Sequence, residues 1–221
     1  MFKNIPLELF SDRTGIGRND LKVPWEGVTQ VVSLRSIVKV YSVQFMTDDY
    51  LRRLLHSVTL AGDADIQPYA GCKIGAFIFE PGIVQVAQTF VERAKYQALL
   101  ENFGKVFMGL SSIPGIARLP AVVVIGKTVD GFVGLANYVP PIVEFNTGLH
   151  LTDGTHRNFI ALGLGASTCG IAIEGVDVPF PCQVLNWSEV KVVNEKPPLE
   201  ERFISLQPDL FRDLKSIGID G

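Results

Sequence analysis

One stretch of the chain, PPIVEFNTGLHLTDGTHRNFIALGLG at residues 140–165, constrains the fold more than any other. Its first half alternates apolar and polar residues on both sides of Asn146-Thr147-Gly148, which is the pattern of two strands joined in a hairpin. After Gly154 the spacing of apolar residues lengthens to that of a helix. A hairpin that leads directly into a short helix predicts the α/β (α+β) class.

The chain is long enough to bury a core. It has 221 residues, of which 47% are hydrophobic and 19% charged, and this is the composition of a globular protein. The net charge of -3 argues against a protein that mainly grips nucleic acid, because binding the phosphate backbone needs a basic face. We therefore expect no nucleic-acid partner.

The sequence predicts a cytoplasmic protein without a membrane partner. The first residues, MFKNIPLELFSDRTG, lack a basic region followed by a long apolar run, so we expect no signal peptide. The longest weakly charged stretch, residues 159–173, is too short and too rich in glycine to span a bilayer. Cys72, Cys169 and Cys182 are widely spaced, and we expect buried structural thiols.

Several other segments carry clear signals of secondary structure. The strand candidates are TQVVSLRSIVKVYSVQF, CKIGAFIFE, PAVVVIG, CGIAIEG and CQVLNWSEVKVVN. TDDYLRRLLHS predicts a helix capped by Thr47. TFVERAKYQALLENFG predicts the strongest helix, because Thr89 and Glu92 have capping-box spacing and Gly104 can end the helix. The C-terminal tail is expected to end in a helix that docks on the outside.

These signals divide the chain into three consecutive segments. Residues 1–85 would form an N-terminal α/β extension, residues 86–195 a core, and residues 196–221 a tail punctuated by proline. The core segment contains the hairpin and the helix described first.

The corner DGTHR, at residues 153–157, concentrates reactive side chains at the start of the predicted helix. Gly154 lets the chain turn sharply, and the N-H groups and dipole of a helix N-terminus attract an anion. Arg157 adds a planar charged fork suited to phosphate or carboxylate. His156 could donate to phosphate or exchange a proton, and Thr155 adds a hydroxyl.

Asp153 allows several interpretations. It could accept from backbone N-H groups, bind a sugar hydroxyl or help to hold Mg²⁺ beside phosphates. The purely structural alternative is that Asp153 caps the helix and that Arg157 pairs with it or with Glu144. His150, Asp153 and His156 also have side chains that bind metals, but their positions in a strand and a turn do not by themselves make them converge.

The segment PPIVEFNTGLHLTDGTHRNFIALGLGAS resembles the core of the ParB/sulfiredoxin-like superfamily, in which a proline-isoleucine strand, a hairpin, a D-G-x-H-R corner and an apolar helix follow in that order. The resemblance covers about residues 139–173. It implies a small α/β core whose corner binds the phosphates of a nucleotide. Asp153 and Gly154 would form the turn, and His156 and Arg157 would face the phosphates.

Two departures from the family narrow what the resemblance implies. Sulfiredoxins place their reactive cysteine immediately before the His-Arg pair, where this chain has Thr155, so sulfiredoxin chemistry is not expected. Partition proteins, which use CTP as a switch on DNA, carry a helix-turn-helix region after this core. Here the segment after residue 173 is short and rich in proline and acid, which argues against a DNA-partition role.

What remains is a nucleotide-binding protein, and the hypothesis is a small-molecule phosphotransferase or NTP hydrolase that uses ATP/ADP or CTP with Mg²⁺. The residues expected to bind the nucleotide are Gly154, Thr155, His156 and Arg157. The candidate catalytic residues are Glu144, Asp153 and His156, with Glu144 as the base because it lies across the predicted hairpin. Asp153 is the candidate metal ligand, and Glu174 and Asp177 are competing carboxylates.

The alternative hypothesis is a regulatory module that holds a nucleotide or another anion without turnover. A nuclease has little support, because the chain is acidic and lacks an obvious basic groove. The expected partners are a nucleotide and a small-molecule acceptor, and the sequence leaves the oligomeric state open, a homo-oligomer included.

Overall fold

The structure is a computed structural model that describes residues 2–22, 26–95, 98–99, 101 and 117–220. Helices and mixed sheets occur together in it, which confirms the predicted α+β class. The helices are α1 (Leu7–Thr14), α2 (Asp48–His56) and α3 (Thr155–Gly163). The strands are β1 (Ile5–Pro6), β2 (Val28–Val31), β3 (Ile37–Phe45), β4 (Lys73–Phe79), β5 (Gln85–Val86), β6 (Phe90–Glu92), β7 (Val122–Thr128), β8 (Val133–Tyr138), β9 (Ile142–Phe145), β10 (Leu149–Asp153), β11 (Thr168–Glu174) and β12 (Lys191–Val193).

The chain forms two compact units that interleave along the sequence. Unit 1 consists of the described residues within Met1–Gly71, Ala121–Val139 and Arg212–Gly221, and unit 2 of those within Cys72–Pro120 and Pro140–Phe211. This division differs from the predicted three consecutive segments, because each unit takes strands from separate parts of the chain. The predicted boundaries at residues 85/86 and 195/196 both fall inside unit 2.

Unit 1 is built on a five-stranded sheet with the order β1-β2-β8-β7-β3. The pair β2–β8 is parallel and the other pairs are antiparallel. β7 and β8 form an antiparallel hairpin, in which the N-H of Gly131 donates to the carbonyl of Thr128. β7 is buried at every position except Lys127, as expected for a central strand made of β-branched residues.

Helix α2 forms as its sequence predicts. The hydroxyl of Thr47 accepts a hydrogen bond from the N-H of Tyr50 at 3.1 Å, which satisfies one of the free donors of the first turn. The residues of its apolar face, Tyr50, Leu51, Leu54 and Leu55, are buried, and Val58 beyond its end is buried with them. Tyr50 also donates to Asn137 on β8 at 2.9 Å, so the helix is fixed to the sheet by a polar contact within an apolar core.

Unit 2 is built on a second five-stranded sheet, with the order β4-β11-β9-β10-β5. β9 and β10 are the predicted antiparallel hairpin, while β11 runs parallel to β9 and β5 parallel to β10. One face of this sheet carries an apolar cluster that includes Phe79, Val143, Leu151 and Leu185. Helix α3 follows β10 directly, as predicted.

The predicted helix from Thr89 to Gly104 is wrong at its start. Residues 90–92 form strand β6, which pairs in parallel with β12, and the hydroxyl of Thr89 donates to the carbonyl of Glu201 at 2.6 Å instead of capping a helix. Helical residues begin at Arg93. The proposed end at Gly104 lies outside the described residues.

The C-terminal tail also differs from its prediction. Its last element is a short 3-10 helix, Leu214–Ile217, and Ile217 and Ile219 are buried within unit 1 instead of lying on the outside. The predicted strand region CQVLNWSEVKVVN contains a 3-10 turn followed by β12. Among the described helices, none has the length and apolar character needed to cross a bilayer.

Candidate functional site

The hairpin β9–β10 brings Glu144 and His150 directly opposite each other. Residues that oppose each other in an antiparallel pair point to the same face of the sheet. Leu151 and Val143, the next opposed pair, therefore point to the other face, where both belong to the apolar cluster of unit 2. Glu144 and His150 lie on the face away from that cluster.

A β-bulge at Thr152 adds Asp153 to the same face. Leu151 opposes Val143 but Asp153 opposes Ile142, so one extra residue lies between the two pairs on β10. In regular alternation Asp153 would share the apolar face of Leu151. Because of the bulge it shares the face of Ile142 and hence of Glu144, and such re-aiming of a side chain is a common use of bulges.

The hydroxyl of Thr152 donates to Oε1 of Glu144 at 3.1 Å. Glu144 is buried, so this bond offsets part of the cost of removing a carboxylate from water. We call Glu144, His150, Thr152 and Asp153 the polar face of the hairpin. The structure thus brings Glu144 and Asp153, two of the three predicted catalytic residues, to one side of the sheet.

Gly154 forms the corner between β10 and α3. Its φ of 93° lies in the left-handed region, which favours glycine. The carbonyl of Gly154 accepts from the backbone N-H of Asn158 at 3.0 Å and from its side-chain amide at 3.1 Å. Gly154 has no side chain that could cap the helix, and Asp153 bonds to Arg157 instead.

Arg157 and Asp153 form an ion pair with 2.8 Å between Nη2 and Oδ2. Their side chains are 10% and 13% exposed, so the pair is largely shielded from water and is held more firmly than an exposed pair. This is one of the structural alternatives that the sequence offers. It also fixes the guanidinium in the first turn of α3, at the end of the helix where the dipole is positive.

His156 has a structural contact that the sequence does not reveal. Its Nε2 accepts a hydrogen bond from the backbone N-H of Glu92 at 3.0 Å, and the side chain is buried. An imidazole nitrogen that accepts this bond cannot at the same time donate to a phosphate. In this arrangement Nε2 is therefore not available for the predicted roles of His156 in phosphate contact and proton transfer.

His150 is buried on the polar face, and its Nδ1 has no hydrogen-bond partner among the described residues. Burial lowers the pKa of this imidazole, and the neighbouring Glu144 carboxylate partly raises it. The ring of Phe180 meets it edge-on at 5.1 Å between centroids. A buried polar atom without a hydrogen-bond partner is rare in native structures. On the polar face, the packing therefore leaves Nδ1 of His150 without the hydrogen bond that it could form.

His150, Asp153 and His156 do not converge on one point, because His156 bonds to Glu92 while His150 and Asp153 share the polar face. Across the residues that the structure describes, no group of three or more His, Cys, Asp or Glu side chains is arranged to hold a metal ion. A single carboxylate can still hold Mg²⁺ when phosphates complete the shell, so Asp153 as a metal ligand stays a prediction.

The three cysteines form no disulfide, and Cys72 and Cys182 are buried while Cys169 is partly exposed. Burial raises the pKa of each, and that of Cys182 to about 11. The carboxylates of Asp177 and Glu144 raise the pKa of Cys72 further. Because the reactive form of cysteine is the thiolate, these sulfurs are poorly suited to nucleophilic chemistry at neutral pH.

Two features of the site cannot be predicted from the sequence. The bulge at Thr152 has no local signal, because Thr152 fits the alternation of an ordinary strand, and His150 is a single histidine in a strand pattern. The opposition of Glu144 and His150 does follow from the turn at residues 146–148, since the turn fixes the register of a hairpin. Comparison with protein-family models, curated proteins and solved structures gave no match.

Proposed function

We propose that the corner at Gly154 binds the phosphates of a nucleotide, and that the chain is a cytoplasmic ParB/sulfiredoxin-like protein with phosphotransferase or NTP hydrolase activity. The observation that carries the proposal is the placement of Arg157. It lies in the first turn of a helix that begins on a left-handed glycine, and Asp153 fixes its guanidinium there. Phosphate sites at helix N-termini combine these elements.

The ion pair with Asp153 is compatible with a second role for Arg157. A guanidinium carries five donor hydrogens in a rigid fork, and one arginine can contact a carboxylate and a phosphate through different donors. An arginine oriented by a carboxylate loses less side-chain entropy when a phosphate binds. Asp153 would then act mainly as a positioning residue, with its second oxygen as the candidate ligand for Mg²⁺ at the phosphates.

Glu144 is the candidate base for a transfer reaction. It lies on the same face of the hairpin as Asp153, close to the corner. In the proposed step the oxygen of an acceptor hydroxyl, or of water, attacks the terminal phosphorus of the nucleotide. The bond from that phosphorus to the bridging oxygen breaks, the nucleoside diphosphate leaves, and Glu144 takes the proton of the attacking hydroxyl.

A binding module without turnover is the second candidate. It is favoured by the contact between Nε2 of His156 and Glu92, which ties a predicted catalytic group into the backbone. Such a module would use the corner to hold an anion and would release no product. The two candidates share the phosphate contact of Arg157 and differ in the role of Glu144.

The first test is a thermal-shift panel with ATP, ADP, CTP, GTP and inorganic phosphate, each with and without Mg²⁺. We expect one nucleotide to stabilise the wild-type chain. In Arg157→Lys, which keeps the charge but loses the fork, we expect an affinity at least about tenfold weaker. The melting temperature without ligand should fall by no more than about 2–4 °C, which corresponds to about 1 kcal/mol in a chain of this size.

Arg202→Lys is the matched control, because Arg202 belongs to the same unit and bonds to the carbonyl of Pro197. It should keep the nucleotide shift of the wild type. If no nucleotide or phosphate shifts the wild-type melting temperature at millimolar concentration, the proposal fails. If one does, product formation from that nucleotide is compared in the wild type and in Glu144→Gln. If the protein is an enzyme, Glu144→Gln loses product formation and keeps nucleotide binding. If the protein is a binding module, the wild type itself forms no product.

A further inference from the structure

Among the described strands, β3 is one of the two outer strands of the sheet in unit 1, opposite β1. It is nine residues long and pairs on one side with β7. The opposite side of such a strand presents N-H and C=O groups that a further strand can use. Natural edges are usually short or charged, whereas residues 40–46 of this chain, VYSVQFM, contain no charged side chain. Over these seven residues β3 therefore lacks the charged side chains that usually protect an edge strand.

The register of β3 against β7 sorts its side chains by polarity. Two shifts in the pairing, one between Ile37 and Lys39 and one between Val40 and Ser42, break the regular alternation. As a result one face carries the apolar stripe of β3, formed by Ile37, Val40, Val43 and Phe45. The other face carries Lys39, Ser42 and Gln44, and Val38 and Tyr41 are the extra residues at the shifts.

Large apolar side chains of β3 are exposed to water. Phe45 is 69% exposed, Val38 62%, Tyr41 53% and Val43 44%. The partners of Phe45 and Val43 on β7, Val122 and Val124, are buried. A concentration of exposed apolar residues on one strand is typical of an interaction site.

We propose that β3 is a homodimer interface, in which two copies of the chain pair their β3 strands in antiparallel fashion and join their two sheets into one. The two-fold axis of such a pair is perpendicular to the sheet, so each face of one copy continues into the same face of the other. The apolar stripe of one copy then meets the stripe of its partner, and the polar side chains also lie beside their equivalents.

The distribution of charge on β3 suits a second copy. Lys39 is the single charged side chain of the strand and lies near its start, with Nζ 5.8 Å from the centre of the Tyr41 ring. In an antiparallel pair centred between Tyr41 and Ser42, Lys39 of one copy lies opposite Gln44, near the uncharged end of the other. The two positive charges are kept apart, which avoids the cost of opposed like charges. An unrelated strand would need apolar side chains on one face and polar side chains on the other at the same spacing. A second copy of β3 has this pattern by symmetry.

The test is sedimentation velocity on the full chain from about 1 to 100 µM, a range that covers common dimer affinities. We expect the wild type to be dimeric at the upper end. Phe45→Lys places a charge in the stripe and should raise the dimer dissociation constant at least about tenfold. Val129→Lys is the control, because Val129 is 70% exposed in the same unit but lies outside β3, and it should leave the dimer unchanged.

Hydrogen exchange on the wild type locates the interface without any substitution. We expect the amides of β3 to exchange more slowly as the protein concentration rises, and those of β8, a central strand, to be indifferent to concentration. A wild-type chain that stays monomeric over the whole range overturns the proposal, as would occur if β3 served a different partner. The proposal is also overturned if Phe45→Lys leaves the dimer intact, or if the exchange rate of the β3 amides does not depend on protein concentration.

Discussion

At Gly154 two separate requirements meet in one residue. The backbone has a φ of 93°, and a Cβ atom added there would lie 2.7 Å from Cγ and 3.0 Å from Cα of Pro141. A residue with a side chain would therefore suffer both backbone strain and a collision with a rigid ring. The D-G dipeptide predicts the turn, but only the structure shows that Pro141, two residues before Val143, packs against it.

For Gly154→Ala we expect a loss of about 2–5 kcal/mol in the free energy of unfolding, the sum of left-handed strain and overpacking. Gly165→Ala is the control for strain alone, since Gly165 has a φ of 60° and nothing within 4 Å of an added Cβ. It should lose about 1–2 kcal/mol. Urea unfolding of both variants measures the difference, and equal losses would show that Pro141 yields without cost.

The buried imidazole of His150 should make stability depend on pH. Burial lowers its pKa in the folded chain below the ordinary value of 6.5, so between the two values the unfolded chain binds a proton that the folded chain does not. The contribution of the neutral imidazole to the free energy of unfolding is therefore present above pH 6.5, and it is lost as the pH falls below 6.5. The loss has a limiting slope of about 1.4 kcal/mol per pH unit, the value for one proton.

Urea unfolding between pH 5 and pH 8, which brackets the ordinary histidine pKa of about 6.5, tests this expectation. His150→Gln should flatten the dependence of the unfolding free energy on pH. His56→Gln, which removes a partly exposed histidine at the end of α2, should keep it. If His150→Gln retains the full slope of the wild type, the acid sensitivity belongs to another group.

At the level of single elements, the sequence predicts those that local signals determine. The hairpin β9–β10 has its turn residues and alternation, α2 has its cap and apolar face, and α3 follows a glycine, and all three form as predicted. Equally good local signals predict a helix that starts at Thr89, and that start is wrong. Residues 90–92 pair with β12, about a hundred residues away in sequence, and such a partner leaves no trace in the local pattern.

The bulge in β10 shows how one extra residue changes the chemistry of an element. Regular alternation would direct Asp153 toward Leu151 and the apolar cluster, where a carboxylate is costly. The bulge directs it to the face of Glu144 instead, and Arg157 one turn into α3 then reaches it. Glu144, Asp153 and Arg157 could thus be named from the sequence, while the placement of Asp153 depends on a bulge that no local pattern specifies.

At the level of the whole molecule, the interleaving of the two units along the chain is the feature that could least be predicted from the sequence. Unit 1 takes its central strands β7 and β8 and its last segment from chain that follows the first residues of unit 2. Ile219 forms a bridge with Asn137 of β8, and Leu60 forms another with Arg212. Composition and periodicity identify segments, but they do not show which distant segments share a core.

The C-terminal segment should accordingly stabilise unit 1 as core residues do. Ile217 is fully buried there, so Ile217→Ala should lower the free energy of unfolding by about 2–5 kcal/mol, the range for removing a buried isoleucine side chain. Ile204→Ala is the matched control, because Ile204 is exposed in unit 2, and its loss should stay below about 1 kcal/mol. Equal losses in urea unfolding would contradict a core role for the segment and would favour the tail docked on the outside that the sequence predicts.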